Sequence, residues 1–147
     1  MDIMSLKPDA LVAVILDKEN GREKILTCLE TLGNARISYG VHCLSQDEEI
    51  ARQELDALAT TAVKVIIVAA KVTDCSNHLQ GQVAGHLTEE PIMVIGVALP
   101  ESTVALQDVF VQSGTALVWA TDAKTGAVSA AEVAAKIVAI QEKVTVG

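Results

Sequence analysis

One stretch, Val63–Ala70 (VKVIIVAA), constrains the fold more than any other. Val63, Val65, Ile66, Ile67, Val68, Ala69 and Ala70 run together with no polar alternation. Residues on a strand point alternately to opposite faces, so an unbroken β-branched run predicts a strand covered on both sides. The run breaks into Lys71, Thr73, Asp74, Cys75, Ser76, Asn77 and His78. In an open α/β sheet, ligands lie just past the carboxyl ends of such strands. Lys71–His78 is therefore the first place to look for function, against the plainer reading of a solvated connecting loop.

The rest of the chain repeats this pattern. Leu11–Leu16 (LVAVIL) reads as a first buried strand, followed by the polar turn Asp17–Gly21. Ile25, Leu26, Leu29 and Leu32 recur at helical spacing, predicting a helix over Arg22–Leu32 that Gly33 and Asn34 stop. Cys28 lies beside that apolar face as a small core residue. Ile37, Tyr39, Val41 and Cys43 alternate with Ser38, Gly40 and His42, which predicts a half-exposed strand near a sheet edge with His42 outward. Ser45 with Glu48 three residues later forms a capping-box pattern for a helix to about Thr60, with Ile50, Leu55 and Leu58 inward.

After the central run, Ser76 or Asn77 can cap a helix through Leu79, Val83 and Leu87, which Glu89, Glu90 and Pro91 end. Ile92–Val97 (IMVIGV) is another buried strand, 104–110 a short helix, and Thr115–Ala120 a strand. A second capping box, Ser129 and Glu132, opens a last helix to about Val144 with Val133, Ile137, Ile140 and Val144 inward. Strand and helix alternate five times over 147 residues. The expected fold is a single α/β domain over 1–147, a flavodoxin-like three-layer doubly wound parallel sheet of about five strands, with 1–9 a flexible start.

Composition narrows the function classes. Only Tyr39, Phe110 and Trp119 are aromatic, and the net charge is −8. Single-stranded nucleic acid is gripped by aromatics on a basic surface, so neither nucleic acid nor an anionic membrane surface is an expected partner. Three cysteines at irregular spacing form no disulfide framework, and no stretch is apolar enough to span a bilayer. The expected compartment is the cytoplasm, with reduced thiols. Half the residues are hydrophobic, a surplus for a small domain that suits a homo-oligomer.

Three chemistries are open. The turn after the first strand could cradle a phosphate on backbone N–H groups, with Lys18 and Arg22 beside it, but Asp17 and Glu19 oppose an anion and only Gly21 lets the backbone approach. Acid–base work could fall to His78 beside Asp74, perched at the ligand edge, with His42 as a further candidate; the plain alternative is a histidine starting a helix. His86 suits the dipole at a helix end. Cys75 and His78 have C-x-x-H spacing and could pair with His42 and Cys43 around zinc, but adjacent strand residues point to opposite faces. No metal or cofactor is expected.

Four segments carry a resemblance: Lys64–Ala70 (KVIIVAA), His78–Gly81 (HLQG), Pro91–Val97 (PIMVIGV) and Ala130–Ile140 (AAEVAAKIVAI). With these the chain resembles, over nearly its full length, the PurE family, small purine-biosynthesis enzymes that carboxylate aminoimidazole ribonucleotide or move a carboxylate on it. The resemblance implies the fold above, an octamer and a nucleotide-like ligand, contacted by Asp17, Asn20, Ser45, Ser76 and Asn77. The chain departs from the family where the chemistry lies. Asp17-Lys18-Glu19-Asn20 replaces the phosphate-binding Gly-Ser-x-Ser-Asp loop. His42-Cys43-Leu44-Ser45 stands for Ser-Ala-His-Arg, so Leu44 holds the place of the proton-transfer histidine and Ser45 that of the phosphate-pairing arginine. Asp74-Cys75-Ser76-Asn77 replaces Gly-Gly-Ala-Ala, and Val111-Gln112-Ser113-Gly114 keeps only the glycine of Met-Pro-x-Gly. A leucine cannot move a proton and a serine cannot pair bidentately with a phosphate. The expectation is a catalytically degenerate relative with a structural, regulatory or ligand-sensing role. The alternative is an enzyme with a remodelled site that uses His78 and Asp74.

Overall fold

The structure, a computed structural model, describes residues 9–17, 21–73, 79–99, 102–103, 118–120 and 125–146. The strands are β1 (Val12–Leu16), β2 (Tyr39–Cys43), β3 (Val65–Ala70), β4 (Met93–Ala98) and β5 (Val118–Ala120). The helices are α1 (Gly21–Lys24), α2 (Leu26–Asn34), α3 (Glu48–Ala59), α4 (Leu79–His86) and α5 (Thr125–Val146). The strands form one sheet in the order β2-β1-β3-β4-β5, every pairing parallel. β3 is central, as the unbroken run of Val63–Ala70 requires, and all six of its residues are buried. The α/β doubly wound architecture with five strands is thus the one the sequence predicts.

Strand parity divides the core into two layers. Val12, Val14, Leu16, Val65, Ile67 and Ala69 pack with Cys28, Leu29 and Leu32 of α2 and with Ala130, Ala131, Ala134 and Val138 of α5. Ala13, Ile15, Ile66 and Val68 pack on the other side with Leu55 and Leu58 of α3 and Val83 and Ala84 of α4. The alanines of α5 let that long helix lie close on the sheet, where larger side chains would hold it off.

Several local expectations are corrected. The predicted helix over 22–32 is broken at Ile25 into α1 and α2, and Leu26 is exposed rather than inward. Gly33 and Asn34 are helical. The stop comes at Arg36, the described non-glycine residue with positive φ, 59°. Its N–H donates to Gly33 O and the Ile37 N–H to Leu32 O, both at 3.0 Å, the crossed pair of bonds that closes a helix with a left-handed residue. Ile50 faces solvent because it stands five residues from Leu55, about 140° around the helix, and Ile140 is exposed because α5 buries its alanines instead. Ser129 lies inside α5, which begins at Thr125, so it does not cap that helix. The expected helix over 104–110 and strand residues 115–117 lie outside the described residues.

The largest reversal is β2. It is the edge strand, as predicted, yet its faces are inverted. Gly40 and His42 are buried while Cys43 is exposed. His42 pairs in register with Ile15, whose side chain faces the α3–α4 layer, so His42 points under α3. Alternation predicts one solvent face, but this sheet carries helices on both.

Candidate functional site

The chain leaves β1, builds β2 on one side, then returns through α3 to build β3 on the other. This puts the reversal of strand order between β1 and β3, where doubly wound sheets open a crevice at their carboxyl edge. Asp17 follows β1 there, Leu44–Asp47 follow β2, and Lys71–Thr73 follow β3. The loops are tied across the edge. The Leu44 N–H donates to Leu16 O at 2.9 Å, and Gln46 Nε2 donates to Asp17 O at 3.0 Å. On the β3–β4 side, the Val72 N–H donates to Ser102 Oγ at 2.8 Å and the Thr103 N–H to Val72 O at 2.9 Å.

Gln80, with no accessible surface, stands behind this edge. Its Nε2 donates to Ala70 O at 3.1 Å and Val97 O at 3.0 Å, clamping the ends of β3 and β4. Its Oε1 is buried without a hydrogen-bond partner.

The start of α3 shapes the other wall. Asp47, not Ser45, is the cap: its Oδ1 accepts from the Glu49 and Ile50 N–H groups at 3.0 and 3.1 Å. Ser45 Oγ accepts from the Asp47 N–H at 3.1 Å, which ties down the preceding turn. Both serine and aspartate are good caps, and aspartate has the added advantage of negative charge at a helix N-terminus. Glu48 falls in the first turn and pairs with Arg52 at 2.7 Å along the exposed helix.

Between α3 and α4 lies a cleft of about 670 Å³, within the size range of small-molecule sites. Leu44, Leu55, Leu79 and Val83 supply apolar lining; Ser45, Gln46, Arg52 and His86 supply polar groups. His86 Nε2 lies 2.7 Å from Asp56 Oδ1, joining α4 to α3. The helix-dipole role expected for His86 is compatible with its place in the last turn of α4, and the Asp56 partner adds to it.

His42 does not reach this cleft's lining. Its Nε2 contacts Glu54 Oε2, and the two residues are 5% and 3% exposed. A buried carboxylate and imidazole satisfy each other, which is how a polar residue is tolerated on the covered face of β2. Leu44, in the position the resemblance gives to the proton-transfer histidine, is 5% exposed and packs in the α3–α4 layer. Burial pushes the Cys28 thiol up to about 12, and Cys43 faces outward on the strand that buries His42, so the two adjacent residues of β2 cannot share one metal ion.

Of the site residues read from sequence, Asp17 and Ser45 are brought to the same edge, where Gln46, next to Ser45 in the chain, donates to Asp17 O. Asn20, Asp74, Cys75, Ser76, Asn77 and His78 lie outside the described residues. Sequence reasoning missed Glu54, Gln46, Gln80 and the Asp56–His86 pair. The Glu48–Arg52 spacing of four was visible. The other partners are far apart in sequence and only the fold brings them together.

No protein-family model and no curated protein matches the sequence. Solved structures do. A crystal structure of Treponema denticola PurE superposes with a TM-score of 0.62 at 17% identity, over 93% of this chain and 94% of that one. The fold is the PurE fold. A serine-to-aspartate variant of Treponema denticola PurE2 matches equally, with a TM-score of 0.62 at 16% identity over 93% of each chain. The PurE likeness thus extends over most of the length of both chains. Among the described residues no helix is long and apolar enough to cross a membrane.

Proposed function

We propose that this chain is a divergent PurE-like protein that binds a small nucleotide-like ligand in the α3–α4 cleft and at the adjoining carboxyl edge, and that it does not shift a carboxylate on aminoimidazole ribonucleotide. One observation carries the reading. Leu44, in the place of the family's proton-transfer histidine, is a largely buried apolar side chain in the cleft wall, and His42, two residues earlier, is held by Glu54 beneath α3. Neither offers a proton-carrying group to a ligand at the edge. Ser45, in the place of the phosphate-pairing arginine, is engaged by the Asp47 N–H and brings no charge. The cleft is lined by groups of both characters. Its role is then structural, regulatory or ligand-sensing, as a cytoplasmic homo-oligomer. The octamer belongs to the resemblance; the exposed Leu26, Ile50, Met93 and Ile140 give an assembly apolar surface to cover.

The test is an assay of the purified protein with carboxyaminoimidazole ribonucleotide, followed by light scattering for subunit number. Ligand-induced stabilisation without turnover is the expected result. Turnover at ordinary enzymatic rates, abolished by no change at Leu44, contradicts it.

A further inference from the structure

β2 ends the sheet on one side, and the direction of its backbone groups follows from its bonds to β1. Ser38 O accepts from the Leu11 and Val12 N–H groups at 2.9 and 3.3 Å, and the Leu44 N–H donates to Leu16 O at 2.9 Å. Along a strand, the N–H and C=O of one residue point to one side and those of the next residue to the other. Ser38, Gly40, His42 and Leu44 therefore turn their backbone groups toward β1, and Tyr39 and Val41 turn theirs outward. Among the described residues no strand lies beyond β2. Folded proteins commonly block such an edge with a charge, a proline or a bulge. Tyr39–Cys43 (YGVHC) carries no proline, lysine, arginine or carboxylate, and it follows β1 in unbroken register. Its one basic side chain, His42, is held by Glu54 beneath α3.

The surface beside this edge is suited to the same contact. A hollow of about 460 Å³ lies between α2 and the start of β2, lined by Leu26, Leu29, Glu30, Gly33 and Tyr39 together with Arg22 of α1. Leu26, Glu30 and Gly33 recur at spacings of four and three, so they share one face of α2. Leu26 is 50% exposed, and a Cβ at Gly33 would meet nothing within 4 Å. The charged groups of this lining are one cation and one anion, Arg22 and Glu30, four residues to either side of Leu26. A net charge of −8 drives copies of the chain apart in general. Along this strip the edge strand brings no fixed charge and the helix brings one of each sign.

We infer that the β2 edge and the α2 hollow form the docking surface for a second copy of this chain. The two β2 strands pair antiparallel about a two-fold axis at Val41, and the sheet runs on through both copies. In that register Val41 exchanges both backbone hydrogen bonds with the second copy's Val41, because outward groups meet outward groups. The same axis sets the two α2 helices antiparallel, with Leu26 against Leu26 and each Arg22 facing the other copy's Glu30. Opposite charges placed evenly about Leu26 are complementary to themselves under a two-fold, which favours a copy of the chain over an unrelated extended peptide. The inference rests on the homo-oligomer reading above and names the surface that makes it.

The experiment is sedimentation velocity on wild type, Leu26→Asp, Val41→Pro, Glu30→Arg and the swap Arg22→Glu/Glu30→Arg, with circular dichroism to confirm folding. Hydrogen exchange over the β2 peptide is followed in parallel. Wild type should be oligomeric. Leu26→Asp sets two carboxylates face to face and should cut the particle mass by about half or more. Val41→Pro removes an outward N–H, a change an edge strand tolerates, and should do the same. Leu26→Asp alters an exposed side chain, so it decides the matter if the proline unfolds the chain. Glu30→Arg should weaken assembly and the swap should restore it, and β2 should exchange faster in Leu26→Asp than in wild type. An oligomeric wild type whose mass is unchanged in either folded variant overturns the β2 edge and leaves the homo-oligomer standing. A swap that fails to restore assembly overturns the pairing of Arg22 with Glu30. A monomeric wild type overturns both the surface and the oligomer.

Discussion

The two helical layers of this sheet are built from different materials. The α2–α5 side is closed with alanine, valine, leucine and the sealed Cys28, and no polar or charged side chain is buried in it among the described residues. The α3–α4 side buries His42, Glu54 and Gln80 and leaves a cleft between its helices. Apolar close packing stabilises without needing partners, whereas each buried polar group must be met by another. The fold thus carries its buried polar groups, among the described residues, on one face and closes the other with apolar side chains.

Changes at His42 and Glu54 should break this contrast most visibly. Glu54→Ala leaves an imidazole, and His42→Ala a carboxylate, buried with no partner; each should cost about 3–5 kcal/mol by urea denaturation. The double replacement by leucine should restore most of that loss, because an apolar pair needs no partner and would make this layer resemble the other. Additive losses in the double variant would mean that the two residues are not coupled.

On the opposite face the expected effect is steric. Ala134→Leu, at a fully buried position of α5, should cost about 1–3 kcal/mol by overpacking. A neutral result would show the α2–α5 layer to be looser than its alanines imply.

Cys28 gives the closed layer a signature in pH. Its thiol, about 12 in the folded chain against 9.0 for the free group, ionises first in the unfolded state. The stability it contributes is complete below pH 9.0 and is lost as the pH rises toward 12, by roughly 1.4 kcal/mol per unit in that window. Chemical denaturation between pH 8 and 10.5 should therefore show a steeper alkaline loss in the native sequence than in Cys28→Ala. The same burial should protect Cys28 from alkylation while the exposed Cys43 reacts.

The smallest effect lies outside both layers. Arg36 holds a left-handed conformation that costs an L-residue about 1 kcal/mol and glycine nothing. Arg36→Gly should raise the stability by up to that amount, less the entropy glycine adds to the unfolded chain, as a small increase in Tm.

What the sequence disclosed follows the same division. The central strand and part of the closed layer were legible because they are written in periodicity and apolar runs: Val65–Ala70, Cys28, Leu29 and Leu32 all lie where that pattern places them. The cleft side was not. His42 reads as an outward residue on an alternating strand until Glu54, twelve residues away, is folded against it. Ser45 and Asp47 compete for one helix cap, and either choice satisfies local chemistry; the geometry of the turn decided for Asp47. Gln80 sits inside a helical pattern that gives no hint of the two carbonyls it bridges. Such pairings depend on the crossing of α3 and α4 over the sheet, which no short window contains.

The difference between the two faces can be measured in one experiment. Methyl-resolved NMR should follow Leu44, Leu55 and Val83 on the cleft side and Leu29, Leu32 and Val138 on the closed side while 5-aminoimidazole-4-carboxamide is added. Saturable shifts confined to the first three are the expected result. Shifts among the second three, or none at any methyl, would contradict the assignment of ligand binding to the α3–α4 face.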